Sequence, residues 1–250
     1  MEFSDVKYSQ YLQILREELL PAMGCTEPIA MAYAAARARQ TLGKMPDKID
    51  IVISGNIIKN VKSVVVPNTG GLKGIAAAVA AGTVVGDADR QLEVLSYVKP
   101  EEIPKIAEFM DKCQMTVIKS DSGKLLDIDL HMYSGTDSVR LRICDNHTNI
   151  VLIEKNGEVL FKKDSDDGES GETDRSVLNV RDILDFAQSV RLEDVSDMLG
   201  RQIEYNLAIS EEGLRGNYGA SIGKTLLETR GNDVRVRARA QAAAGSDARM

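Results

Sequence analysis

Twice in its N-terminal third the chain passes from a loop of small residues into a stretch that is apolar on every side. Met23-Gly24-Cys25-Thr26-Glu27-Pro28 leads into Ile29-Ala30-Met31-Ala32-Tyr33-Ala34-Ala35-Ala36, and Pro67-Asn68-Thr69-Gly70-Gly71-Leu72-Lys73-Gly74 leads into Ile75-Ala76-Ala77-Ala78-Val79-Ala80-Ala81. Alanine is the strongest helix former, and a helix without a polar face has to be buried. Two such helices present methyl groups where most helices present long side chains, so they suit close packing. The composition agrees: aromatic residues make up 4% of the chain, Trp is absent, and there are 20 glycines.

Cys25 stands where the first loop meets its helix, with Thr26 as the expected cap and Pro28 suited to the first turn. A thiol at a helix N-terminus faces free backbone N–H groups and the positive end of the helix dipole, which favours the thiolate. The plain alternative is that Cys25 is one more small buried residue. The Asn68–Gly74 loop likewise reads in two ways. Its backbone N–H groups suit an anion such as a carboxylate, or it is a tight turn that lets a helix pack closely.

The bulk properties exclude several classes. A net charge of −7 and a pI near 5.1 argue against nucleic acid or an acidic membrane surface as partner. No apolar run approaches the ~20 residues of a membrane span and no signal peptide opens the chain, so a cytoplasmic location is expected. The three cysteines, Cys25, Cys113 and Cys144, are far apart and form no CxxC pair, so a disulfide framework is not expected.

The pattern along the chain predicts an α+β fold. A helix is expected over 8–20. A strand follows over Lys48–Ser54, a turn at Gly55-Asn56, β-rich sequence over Val61–Val66, and a helix over Ile75–Ala81 closed by Gly82. Then come a charged helix over Pro100–Lys112 and strands over 115–119, 125–132, 139–144, 150–155 and 158–162, the last two joined by an Asn156-Gly157 hairpin. Helices return over 180–190, 192–209, 222–229 and 232–250, with a connection over 211–218. The expected organisation is a discontinuous helical domain of small residues, 1–86 plus 175–250. A small, mostly antiparallel α+β unit is inserted at 87–163, and an acidic linker occupies 164–174.

Other motifs fall short. Gly219-Ala220-Ser221-Ile222-Gly223-Lys224-Thr225 has three residues where a P-loop needs four, and no β-rich run precedes it, so it reads as a helix start. Cys144 and His147, with His131 nearby, make half of a zinc-ligand pair. There is no nucleophile elbow, and the acidic stretch lacks calcium-loop spacing.

Three separated stretches, Gly24-Cys25-Thr26-Glu27-Pro28, Pro67-Asn68-Thr69-Gly70-Gly71 and Ala243-Ala244-Gly245-Ser246-Asp247-Ala248-Arg249-Met250, together resemble the L-cysteine desulfidase family, which is related to the α-domain of iron–sulfur L-serine dehydratases. The resemblance runs through the whole chain in order. It implies a lyase that performs β-elimination on L-cysteine, releasing sulfide, pyruvate and ammonia, with a [4Fe–4S] cluster as Lewis acid. It assigns Cys25 as a cluster ligand or as the proton-abstracting base, with Glu27 beside it, and Asn68, Thr69, Gly70 and Gly71 as the binding loop for a small amino-acid substrate. Family members are longer, and the other two ligand cysteines are expected beyond Met250; Cys113 and Cys144 do not match the motif positions. The 250-residue chain alone is therefore expected to be inactive, with an exposed helical face where the remainder docks. An iron–sulfur L-serine dehydratase and a non-catalytic binding or assembly subunit remain the alternatives, and homo-oligomerisation stays open.

Overall fold

The computed structural model describes residues 1–2, 4–163, 173–231 and 233–248. The protein is α+β, and its chain divides into two compact units, Met1–Pro21 with Gly168–Met250, and Ala22–Asp167.

The second unit is built on a six-stranded sheet. Its strands are β1 (Lys48–Ile53), β2 (Gln114–Lys119), β3 (Asp127–Ser134), β4 (Asp137–Cys144), β5 (Ile150–Lys155) and β6 (Glu158–Lys162), in the spatial order β2-β1-β3-β4-β5-β6. β1 pairs in parallel with β2, and every other pairing is antiparallel. Alternation places Ile49, Ile51 and Ile53 on one face of β1. There they meet Met132, Leu130 and Ile128 of β3, which in turn meet Val139, Leu141 and Ile143 of β4. These nine residues are fully or almost fully buried. The opposite face of β3 and β4 carries charge instead. Asp127 is 1% exposed, receives two hydrogen bonds from the Arg142 guanidinium and one from the Ser120 hydroxyl, and is held at a pKa of about 2 against the upward push of burial.

Helix α2 (Thr26–Leu42) packs on the apolar face of the sheet, over β3 and β4. It is buried all round from Pro28 to Ala36, as its lack of a polar face requires. Its other side receives α4 (Gly74–Val85). A Cβ on Gly82 would stand 2.0 Å from the Ala32 carbonyl oxygen, and a Cβ on Gly86 would stand 2.8 Å from the Ala36 Cβ. The contacts advance by four residues in the same direction on both helices, so α2 and α4 run parallel and their N-termini lie at the same end.

Several expectations are corrected here. Gly55-Asn56 is not a turn but the start of α3 (Gly55–Val61), because the Ser54 hydroxyl caps it by accepting from the Ile57 N–H. Val61–Val66 forms no strand; a narrow hairpin follows α3 instead, with one bridge, Val65 to Lys73, and bonds from the Val66 N–H to Leu72 O and the Gly74 N–H to Val64 O. Helix α4 runs through Gly82 to Val85, since that glycine is a contact point and not a stop. The chain does not divide at residue 87 as expected. β1 is an interior strand between β2 and β3, so residues 22–86 belong with the sheet.

α5 (Ile103–Lys112) completes the second unit, and the first unit is helical: α1 (Val6–Glu18), α6 (Val180–Ser189), α7 (Leu192–Arg215), α8 (Ile222–Arg230) and α9 (Val234–Asp247). Tyr8, Tyr11 and Leu12 of α1 pack on Phe186 of α6 and Val195 of α7. At its other end α7 meets α9 through glycine; a Cβ on Gly213 would stand 2.0 Å from Ala244 O. The connection expected over 211–218 is therefore mostly helix, because Gly213 serves packing and not a turn. Of the expected acidic linker, residues 164–172 lie outside the described residues.

The α2–α4 contact gives a direct test. Gly82→Ala forces a methyl onto a backbone oxygen that cannot swing aside, and is expected to cost about 3 kcal/mol; urea unfolding of the variant against the parent measures it.

Candidate functional site

Cys25 is itself the N-cap of α2, with extended backbone (φ −71°, ψ 124°), and no side chain caps the helix. Thr26, the expected cap, is the first helical residue, and its hydroxyl reaches the Glu27 Oε2 at 3.4 Å. Helix α4 likewise starts at Lys73 with no side-chain cap. In contrast, α1, α3, α6 and α9 are capped by Asp5, Ser54, Asn179 and Asp233. The N-cap residues of α5, α7 and α8 also make no side-chain cap bond, so what sets the α2 and α4 starts apart is that they lie at one end of the parallel pair.

Glu27 is the hub beside Cys25. Its Oε2 accepts the Cys25 thiol proton at 3.1 Å, and its Oε1 accepts from the Asn60 amide at 3.0 Å. Asn60 lies in the last turn of α3, so the cap at Ser54 and the buried Ile57 and Val61 fix where its amide points. Burial works against ionisation of Glu27. The Cys25 thiol, its own backbone N–H and the Asn60 amide outweigh burial, with a further contribution from His147, and hold the carboxyl below its usual range. His147 comes from the turn between β4 and β5 and is half-buried; burial pushes its pKa down while the Glu27 charge pulls it up.

These neighbours reverse one expectation. The Cys25 thiol is pushed up to about 11, first by burial and then by donating to the Glu27 carboxylate and facing its charge. The Glu27 backbone N–H acts for the thiolate, as the helix N-terminus suggested, but it is outweighed. At neutral pH Cys25 is a thiol hydrogen-bonded to an ionised carboxylate. Cys113 and Cys144 are also pushed up to about 11, chiefly by burial, and both are buried. Cys144 donates to Asp127 at 3.6 Å, while His131 faces Asp129 at 3.3 Å on β3.

The expected binding loop is the tip of the hairpin between α3 and α4. The Asn68 amide donates to Leu95 O at 2.9 Å, and the Thr69 hydroxyl, 1% exposed, donates to Val66 O at 2.7 Å. Thr69 therefore shapes the turn, while Asn68 tethers it to Leu95. Gly70 and Gly71 are exposed at φ 71° and 94°, a left-handed run for which glycine is the natural residue. The loop and the Cys25 junction share an anchor: the Met23 N–H donates to Leu92 O, the Ser96 hydroxyl to the Met23 sulfur, and Asn68 to Leu95 O. The structure thus brings Cys25, Glu27 and Asn60 into one hydrogen-bonded set and ties the 68–71 loop to the same 92–96 segment.

Sequence reasoning missed Asn60 and read His147 only as half of a zinc-ligand pair with Cys144; the fold brings the Asn60 amide and the His147 charge to bear on Glu27. The other junction, Gly219–Thr225, is already filled. Asp247 Oδ2 accepts from the Ile222 and Gly223 N–H groups, so an acidic side chain occupies the start of α8. A cavity of about 630 Å³ opens beside the turn that carries His147, lined by residues that include Arg37, Thr148, Asn149, Phe161 and Lys163 but not Cys25 or Glu27. Among the described residues no group of three or more His, Cys, Asp or Glu side chains converges as a metal site. At Cys25 the described residues thus offer one thiol and its bonded carboxylate, and not a set of three metal-ligating side chains.

The chain is similar to proteins named UPF0597. One from Desulfitobacterium hafniense is 55% identical over 251 residues, covering 100% of this chain and 58% of the relative. One from Lachnoclostridium phytofermentans is 47% identical over 97% of this chain and 58% of the relative, and one from Treponema denticola is 45% identical over 100% and 60%. The chain thus spans 58–60% of the length of these curated relatives. No protein-family model and no solved structure matches it.

If Glu27 suppresses the thiolate, Glu27→Gln lowers the Cys25 pKa from about 11 toward the ordinary thiol range. Iodoacetamide alkylation of Cys25 at pH 8, followed by mass spectrometry, is expected to quicken about tenfold, the effect of one pKa unit.

Proposed function

We propose that the chain is part of a lyase that removes the α-proton and the β-sulfur of L-cysteine, with Cys25 as one ligand of a [4Fe–4S] cluster. In the balanced reaction the α-carbon gives up a proton and the Cβ–S bond breaks, so that hydrosulfide leaves and 2-aminoacrylate remains. Addition of water and loss of ammonia then give pyruvate. When bound, the cluster would supply an open iron as Lewis acid for the substrate.

The observation that carries this reading is the hydrogen-bonded set at the start of α2: a thiol on an uncapped helix N-terminus, bonded to a carboxylate that Asn60 holds in place. A thiol must lose its proton to bind a metal, and Glu27 Oε2 is 3.1 Å away to accept it. With its pKa near 11, Cys25 carries a proton at neutral pH, so either role, ligand or base, requires that proton to leave. The substrate carboxylate is assigned to the N–H groups of the exposed Gly70 and Gly71 and of the first turn of α4 beyond Gly74, whose own N–H is taken by Val64 O, since the Asn68 and Thr69 donors are committed to Leu95 O and Val66 O. The remaining ligands are assigned to sequence outside these 250 residues, in keeping with the greater length of the relatives.

Anaerobic reconstitution of the full-length protein with iron and sulfide is the test. Visible cluster absorption and sulfide release from L-cysteine are expected. Cys25→Ala is expected to lower kcat/KM by at least about a thousandfold, because the Lewis acid is lost. Elimination from L-serine with none from L-cysteine would reassign the leaving group to hydroxide. No cluster and no sulfide from the full-length protein, or sulfide from the 250-residue chain alone, would overturn the reading.

A further inference from the structure

Helix α7 spans 24 residues and, among the described residues of its own unit, packs at its two ends. Near its start, Val195, with Met198 and Leu199, joins the cluster of Tyr8, Tyr11 and Phe186. Near its end, Ser210 and Gly213 are buried against α9. Between them every residue from 200 to 208 is exposed, including Ile203 at 59%, Tyr205 at 51% and Leu207 at 45%. Leu199, Ile203 and Leu207 recur at i, i+4, i+8 and form one stripe, and Tyr205 and Ile209 lie on another side at the same spacing. An exposed helix that is only a strut between two clusters is expected to be polar at its middle. This one carries its apolar residues there, on more than one side, which is the pattern of a helix that other helices flank.

We propose that the bare middle of α7 is the seat of a further segment of the same polypeptide, helical and apolar on the side that meets Ile203 and Leu207. Two facts select that occupant. The curated relatives match this chain over 58–60% of their own length, so they carry a further two-fifths of sequence that must pack somewhere. The described part of the first unit is helical throughout, so the surface on offer is shaped for helix-on-helix packing. The proposal rests on the packing of this unit and not on the chemistry assigned to Cys25, and it stands or falls separately.

The test is photo-crosslinking in the protein expressed from its natural reading frame. Tyr205→p-benzoylphenylalanine places the probe at an exposed site, where substitution leaves the rest of the unit undisturbed; Ile203→p-benzoylphenylalanine is the second variant. Irradiation and peptide mapping are expected to join the probe to residues outside the 250 described by this sequence, within one polypeptide and with a yield independent of dilution. Hydroxyl-radical footprinting of the unsubstituted protein is expected to show native Tyr205 modified at least about tenfold more slowly than in urea. Crosslinks to residues 1–250, crosslinks lost on dilution (a second copy), a reading frame that holds only these 250 residues, or Tyr205 modified as fast as in urea would each overturn the proposal.

Discussion

The structure of the larger unit depends on the absence of two side chains. Gly82 and Gly86 let α4 lie so close to α2 that a methyl group at Gly82 would reach within 2.0 Å of a backbone oxygen. At that distance the helices touch through backbone and alanine methyls, with dense dispersion contact and no side-chain entropy lost. The parallel course that follows is what sets two helix starts side by side. It also explains why α2 can be buried on all sides, with the sheet on one face and α4 on the other.

The same arrangement accounts for the chemistry at Cys25. A cysteine at a helix start is commonly activated, but here the first helical turn also brings Glu27, whose carboxylate faces the sulfur, and half-burial raises the cost of a second negative charge. The result is a quiet thiol. A carboxylate held by Asn60 and biased by His147 keeps the proton acceptor ionised and in place. Such a pair is poorly suited to nucleophilic attack by free sulfur, and a cation would have to displace the thiol proton for Cys25 to serve as the proposed ligand.

What could be read from the sequence and what could not divide along physical lines. The Ala-rich runs announced buried helices because a helix with no polar face has no other fate, and the alternating Ile49, Ile51 and Ile53 announced a strand with one buried face. Val61–Val66 misled because its β-branched residues say nothing of the Ser54 cap that starts a helix seven residues earlier, or of the hairpin bonds that follow it. Gly82 and Gly213 were read as breaks although both are contacts, a distinction that only the neighbouring helix supplies. The boundary at residue 87 failed for a similar reason, since strand order places β1 inside the sheet. At the site, Cys25 and Glu27 were legible as neighbours in one turn. The sign of the Cys25 shift was not, because it turns on burial, and neither were Asn60 and His147, which lie 33 and 120 residues from Glu27 in the chain.

The central claim is that the close α2–α4 contact holds the Cys25 set in place. It is tested most directly by comparing two lesions of equal geometry. Gly82→Ala and Gly213→Ala each put a Cβ 2.0 Å from an alanine carbonyl oxygen, the first between α2 and α4 and the second between α7 and α9. Cys25 alkylation at fixed pH, followed by mass spectrometry under conditions where both variants remain folded, reads the site. The account predicts that Gly82→Ala quickens alkylation about tenfold or more, by uncovering the half-buried thiol at the start of α2, while Gly213→Ala leaves the rate unchanged. Equal rates in the two variants would contradict it.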